Sequence, residues 1–532
     1  MFHPSQEKRR SKLEVFKTPA KKLKSVSLET LDQKRQKGIL FLFFTLIFTY
    51  LLSFDSPTFT LIPTSLKSFF LFFGNFCFCF LLNSILCYVI LVHYPRLVQK
   101  ILHQTVIYLA LFLIILTSKI TVLFHLTPFV IPFGFIAYLM ALIFGQQVTL
   151  ILTPFLWIYS GHIFYFSVLS YPVTLDMTSY WQWSIVSLRH CLVVFLGSLL
   201  MIAACNQVNR RNKLTLTGVS LAIAHTLLLA LFFLFSGFVQ RNSLGFYPIF
   251  EEFCFAAGSG LLTGFFLSTL LPFFESIFDF TTDISLLELS SGNNPLLERM
   301  LLEAPGTFHH SMMVGILAEA AADAIGGRSL LAKVGAYYHD IGKLVRPDYF
   351  TENENNRGSR HETLSPLLST LIILSHVKDG VQLAKLFNLP SAVVDIIQEH
   401  HGCGLVQFFY VEALNNPDYR EDFPDKREKE NKEFFRYPGP RAKTKEAAIV
   451  LIADCVEAAS RSLSDPSYTK LETLIEKIVH SKLMDQQLEE CNLTFKEIHL
   501  IKQSLLTMLT SLFHTRIQYP EAPKKNQGPV SL

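Results

Sequence analysis

The chain has 532 residues, of which 50% are hydrophobic, 13% aromatic and only 17% charged, against roughly a quarter charged in an ordinary soluble protein. Its 49 phenylalanines and mean hydropathy of +0.35 exclude a disordered chain, a secreted disulfide scaffold and a wholly soluble enzyme. The formal net charge of +4 hides three unlike regions, which are clearest in chain order.

Residues 1–37 carry eleven Lys/Arg against Glu7, Glu14, Glu29 and Asp32, a net +7. They read as a basic cytoplasmic tail. Residues 38–280 carry nine basic and six acidic side chains in 243 positions. A spanning helix needs about 20 mostly apolar residues, because the hydrocarbon core is about 30 Å thick. Eight stretches qualify, near 38–54, 68–92, 101–118, 125–144, 148–169, 187–206, 214–237 and 252–274. The first reads as a retained signal anchor, since no small-residue cleavage site follows it. A short extracytoplasmic loop at 55–67 and a seven-helix transmembrane block at 68–280 follow.

Orientation follows from the Lys/Arg bias of short loops. The tail, the loop with Arg96 and Lys100, and the loop with Arg210, Arg211 and Lys213 fall on one side. The opposite loops hold Lys67, Lys119 and Arg241. Both termini are therefore expected in the cytoplasm, in a multi-pass membrane protein. The pattern is weakest over 125–169, where Pro128, Pro132 and Pro154 interrupt it and Gln146–Gln147 are expected to form the turn. His162, His190 and His225 are polar groups inside spans and so candidates for function, but no acidic cluster in the sequence accompanies them. The nine cysteines suggest no disulfide framework.

From about 290 the apolar spacing changes to that of amphipathic helices, as in SMMVGILAEAAADAI. Residues 281–532 carry 27 basic and 33 acidic side chains, a net −6. An all-α domain is expected over 281–520, with a long charged loop or insertion at 402–446 that has room for a helical piece, and a C-terminal tail at 521–532. The fold class is thus all-α throughout: about eight spans followed by a cytoplasmic helical domain. Five clusters in that domain supply metal ligands: His310 in PGTFHHS, His339 and Asp340 in YYHDIGK, His376 in LSHVK, His400 and His401 in QEHHG, and Asp454 in IADCVEA. One such histidine is usually a satisfied core residue, whereas seven residues in one domain do not fit that explanation. Imidazole with carboxylate suits Fe, Mn or Zn, and an Asp between two histidine sets can bridge two cations.

The ordered set resembles the HD superfamily of metal-dependent phosphohydrolases. The flanks PGTFHHSMMVG, VGAYYHDIGKL, LIILSHVKDGVQLAK, EHHG and RYPGPRAKTKEAAI are similar to one branch, the bacterial membrane-anchored HD phosphodiesterases of the PgpH type, which degrade cyclic di-AMP. The resemblance implies a catalytic site with two divalent transition-metal ions, Mn or Fe. His310, His339, Asp340 and Asp454 would hold one, and Asp340, His376, His400 and His401 the other. It further implies a cyclic-dinucleotide substrate, cleaved to pApA. The lipid bilayer is the other partner, a homodimer is a candidate assembly, and no nucleic-acid polymer is expected. Lys343 is suited to neutralising phosphate charge, and so is a second catalytic candidate. Arg436, Tyr437, Arg441 and Lys443 are either a base-stacking and phosphate-contacting rim or a solvated basic loop. Arg461 reads as a surface arginine.

The sequence departs from the family in one respect. Members place a large extracytoplasmic domain after the first span, and here about 13 residues, DSPTFTLIPTSLK, occupy that position. HHGCGLVQFF lacks the Gly-Tyr-Pro signature that follows the paired histidines in HD enzymes acting on cyclic di-GMP, which favours the di-AMP branch. Other readings are a membrane receptor or scaffold whose HD domain binds nucleotide without turnover, a nucleotide phosphohydrolase of other specificity, and a transporter.

Overall fold

The computed structural model describes residues 18–53, 66–94, 101–124, 126–170, 177–204, 211–239, 246–292, 294–354, 360–415, 432–463 and 466–514. The first half of the tail, the 55–67 loop up to residue 65, the loops with Arg96, Lys100, Arg210 and Arg241, and the 521–532 tail lie outside these residues. Two compact units divide at Phe278 and Asp279. Among the described residues both are helical, and the sole β pairing is one bridge, Leu405 with Arg436.

The first unit holds α1 (Thr18–Ser53), α2 (Leu66–His93), α3 (Ile101–Leu123), α4 (Phe133–Phe144), α5 (Gln146–Ser170), α6 (Met177–Ala204), α7 (Arg211–Val239) and α8 (Phe246–Phe278). Among the described residues, six segments are long and apolar enough to cross a membrane: Lys34–Ser53, Phe69–His93, Ile101–Leu123, Gln146–Phe164, Arg211–Leu234 and Ile249–Phe278. Exposed Phe69, Phe70, Phe73 and Leu81 on α2 are what a lipid-facing surface requires. One of the eight expected spans differs. The 125–144 stretch is not one long helix, because Thr127 caps a single 3-10 turn at Pro128–Val130 and α4 has only 12 residues, about 18 Å of helix. The stretch expected near 187–206 is covered up to Ala204 by the 28-residue α6, Met177–Ala204. Gly145, at φ +84°, makes the turn before α5, and Gln146 is already helical. Lys119, expected in a loop, lies inside α3 and is buried, because α3 runs on to Leu123.

Apolar side chains alone do not associate helices in lipid, so polar contacts and close packing count. Tyr159 donates to Asn83 Oδ1 (2.9 Å), Asn83 donates to Thr45 (3.0 Å), and His162 Nε2 lies 3.1 Å from Asn75 Oδ1. α7 and α8 meet through glycines, since a Cβ on Gly218 would sit 2.5 Å from the Gly264 Cα. Buried Arg189 donates to Glu252 at 2.6 Å, and His190 Nε2 lies 3.1 Å from the same oxygen. His190 thus has a carboxylate partner that its sequence neighbourhood does not reveal. His225 Nδ1 faces Ser259 Oγ at 3.0 Å.

The second unit contains α9 (Asp283–Leu289), α10 (Pro295–Glu303), α11 (Pro305–Ala324), α12 (Ser329–Tyr338), α13 (Pro366–Leu386), α14 (Ser391–Glu399), α15 (Gln407–Asn415), α16 (Lys445–Arg461), α17 (Tyr468–Met484) and α18 (Phe495–His514). The helix starts are written in the sequence: Ser365 and Thr444 accept from Leu368 N and Ala447 N, and Pro305 and Pro366 occupy first-turn positions. Gly326, at φ +65°, ends α11. The core is built on α11 and α16, whose Val314, Leu317, Ala318, Ala321, Ile449, Val450, Leu451 and Ile452 are fully buried. Each large member contributes about 1.5–3 kcal/mol. Gly315 lets α11 approach α12, since a Cβ there would lie 2.4 Å from the Tyr337 ring. The expected loop at 402–446 contains the nine-residue α15, and residues 416–431 lie outside the described set.

Candidate metal centre

The seven predicted residues arrive on different elements and converge. His310 comes from α11, His339 caps the end of α12, and Asp340 follows it into a 3-10 turn at Ile341–Val345. His376 lies on α13, His400 caps α14 with His401 after it, and Asp454 lies on α16. Their donor atoms form two groups, each within 4.8 Å: Asp340, His376, His400 and His401, and His310, His339 and Asp454.

Asp340 stands between the groups, with one oxygen toward each. Its Oδ1 lies 3.4 Å from His376 Nε2 and 3.7 Å from His400 Nε2, while Oδ2 lies 3.1 Å from His339 Nε2 and 3.6 Å from His310 Nε2. Asp454 Oδ1 is 3.0 Å from His310 Nε2, and Oδ2 is 3.7 Å from His401 Nδ1. The turn after Asp340 is set against α13 by Gly342, because a Cβ there would fall 1.8 Å from the His376 carbonyl oxygen.

The rings are aimed by their far nitrogens. His339, His376 and His400 each donate Nδ1–H to the carbonyl three residues earlier, on Ala336 (2.6 Å), Ile373 (2.6 Å) and Ile397 (2.7 Å). His310 Nδ1 lies 2.5 Å from Glu457 Oε2. These contacts fix the tautomer and leave Nε2 facing inward as an electron-pair donor, the arrangement metal-binding histidines use. Two buried atoms in the middle, His339 Nε2 and Asp340 Oδ1, have no hydrogen-bond partner. Such orphans are costly in a folded interior, and cations between the two groups would satisfy them.

The electrostatics agree with that fit. Burial pushes His400 down to about 3, and burial also lowers His376 and His401, so all three remain neutral donors. Burial would raise Asp340, but the His339 and Lys343 charges outweigh it and hold the carboxyl well below the usual carboxylate range. For Asp454, the contact with His310 and the nearby His339 and His401 rings overcome burial in the same direction. His339, opposed by burial, is pushed up to about 10 by Asp340 and Asp454. The three imidazoles of the first group and the two carboxylates are thus already in the forms a divalent cation needs, whereas His339 and His310, whose protonation the carboxylates favour, would release a proton on binding one.

Lys343 is at the centre's edge, its Nζ 2.8 Å from Asp340 Oδ2 and 2.6 Å from Glu352 Oε1. Tyr437 also reaches the centre, its ring 4.3 Å from that of His401. The other basic candidates are engaged by carboxylates outside the two groups. Arg436 pairs bidentately with Asp485, Arg441 lies 2.9 Å from Glu489, and the largely exposed Lys443 ammonium is 3.8 Å from Glu399. Sequence reasoning missed Glu457 and Glu352. Glu457 lies one helical turn after Asp454 in IADCVEA, a spacing that puts both on one face. Arg461, read as a plain surface residue, bonds to Glu457 at 2.6 Å.

Comparison with known proteins places both parts of the chain. A family profile described as "7TM receptor with intracellular HD hydrolase" matches residues 69–282, and the HD domain profile matches 307–459. The cyclic-di-AMP phosphodiesterase PgpH of Bacillus subtilis (strain 168) is 43% identical over 317 residues, 60% of this chain and 43% of that protein. The Listeria monocytogenes protein of the same name is 38% identical over 336 residues, 62% of this chain and 44% of that one. The chain thus spans under half the length of the curated relatives it matches. A crystal structure of the L. monocytogenes PgpH HD domain in complex with cyclic-di-AMP is 44% identical, covering 42% of this chain and 99% of that one, with a TM-score of 0.39. The two profiles thus match the chain in order, a 7TM block over residues 69–282 followed by an HD domain over 307–459.

Proposed function

We propose that the chain is a membrane-bound phosphodiesterase that opens cyclic di-AMP to linear pApA. The observation that carries this is the two donor groups on either side of Asp340. The site faces the cytoplasm of a bacterial inner membrane, with both termini on that side and a homodimer as the assembly. The working units are the segments delimited from the sequence, with the HD domain at 281–520. His310, His339, Asp340 and Asp454 would hold one divalent cation, and Asp340, His376, His400 and His401 the second, either Mn or Fe. Such a pair supplies a water activated at neutral pH and a clamp on the oxygens of an in-line phosphoryl displacement.

The side chains of this protein do the rest. The carbonyls behind His339, His376 and His400 keep the rings from turning, so no reorientation is required during turnover. Lys343 keeps Asp340 ionised and adds a positive charge beside the reacting phosphate. Burial raises the resistance of the Tyr437 phenol to ionisation, and its ring beside His401 offers a face on which an adenine base stacks. Arg436, Arg441 and Lys443 reach a substrate only by leaving their carboxylates, so they contribute less than Lys343.

The purified full chain in detergent, supplied with manganese, tests this against cyclic di-AMP, cyclic di-GMP and simple nucleotide phosphoesters. Conversion of cyclic di-AMP to pApA, faster than the others, is expected. Tight cyclic di-AMP binding without product would establish the receptor reading instead, and preferential cleavage of another phosphoester would establish a different specificity.

A further inference from the structure

The two donor groups differ in what stands behind them. Each of His339, His376 and His400 donates its Nδ1–H to a neutral backbone carbonyl. His310 alone has a carboxylate there, Glu457 Oε2 at 2.5 Å. The Glu457 side chain is buried, with 6% of its surface exposed. The group holding His310 also contains Asp454, whereas the other has three imidazoles and shares only Asp340. A hydrogen bond from an imidazole to a carboxylate raises the basicity of its metal-binding nitrogen, and such partners commonly govern metal affinity.

Two cations work against this charge difference. Lys343 sits 2.8 Å from Asp340 Oδ2, the oxygen facing the His310 group, but it is also engaged by Glu352 at 2.6 Å. Arg461 bonds to Glu457 Oε1, and its side chain is 39% exposed, so solvent screens its charge far more than that of the buried carboxylate. The balance leaves the His310–His339–Asp454 position the more strongly donating of the two.

We infer that the two metal positions are unequal: the one formed by His310, His339 and Asp454 fills first and empties last, and Glu457 is the positioning residue that makes it so. Arg461 and Glu457 together clamp the His310 ring from behind. This inference rests on the proposed two-metal site, but its readout is metal occupancy, so it stands or falls apart from which phosphoester is cleaved.

The test is a manganese titration of the full chain, freed of metal by chelation, followed by calorimetry and by electron paramagnetic resonance. Two separable steps are expected. The first should give the spectrum of an isolated ion, and the second should convert it to that of a coupled pair. Glu457→Gln keeps the shape and should weaken the first step by about 10–100-fold while moving the second far less. His376→Ala should remove the second step and leave the first, and this arm decides the matter if the Glu457 variant does not fold. Two equal steps in the wild type would overturn the inference. So would equal weakening of both steps in Glu457→Gln, or loss of the tight step in His376→Ala.

Discussion

At the scale of single residues, the centre depends on atoms placed by their neighbours to within tenths of an ångström. Gly342 shows this most plainly. The HD turn crosses α13 so closely that any Cβ at 342 would meet the His376 carbonyl oxygen at 1.8 Å and the Gly380 nitrogen at 2.5 Å. Both are backbone atoms and cannot swing away as a flexible side chain does. Gly342→Ala should therefore cost about 1–3 kcal/mol and pull Asp340 away from His376. Thermal unfolding and manganese binding would both register it; an unchanged midpoint together with unchanged binding would refute the close approach. The seven candidate ligands stood out in the sequence because their residue types are rare in combination. Glu457 was not, since its partner His310 is 147 positions away and only the packing of α11 on α16 brings them together.

At the scale of elements, charge pairing inside the membrane block carries the same lesson. Arg189 and His190 on α6 share Glu252 of α8, and the Arg189 guanidinium lies 4.5 Å from the Phe233 ring of α7. One carboxylate thus ties helices that otherwise meet mainly through apolar surface. Removing one member of a buried pair leaves the other charge uncompensated, at a cost of about 3–5 kcal/mol, and intramembrane charges tolerate this poorly. Because Glu252 is 24% exposed, Glu252→Gln should fall at the lower end of that range, lowering the thermal midpoint of the detergent-purified chain. A midpoint equal to the wild type would show that the pair is idle. Hydropathy located these helices without showing which faces meet. It also overestimated α4, because a proline-rich apolar run counts toward a span although Pro128 and Pro132 break its helix. In the second unit, Thr494 and Glu497 exchange reciprocal bonds at the start of α18, so Thr494→Ala should cost about 1 kcal/mol in a denaturant melt of this unit.

For the whole molecule, the uneven charge read from the sequence corresponds to two units, each with its own buried core. Since the HD core closes on itself, residues 279–514 expressed alone should give a helical circular dichroism spectrum and one cooperative unfolding transition. A featureless spectrum would mean that this core needs the rest of the chain. The −6 net charge of residues 281–532 gives an anionic dinucleotide no general attraction. On the proposed function, two cations and the largely buried Lys343 would supply it locally, so activity should vanish with chelation and depend only weakly on salt. The account rests on Asp340, the residue that faces both donor groups. Its most direct test is the cyclic di-AMP hydrolysis rate of Asp340→Ala beside the wild type, in saturating manganese and with folding verified. The predicted result is a loss of about a thousandfold or more; a rate within tenfold of the wild type would contradict the two-metal site.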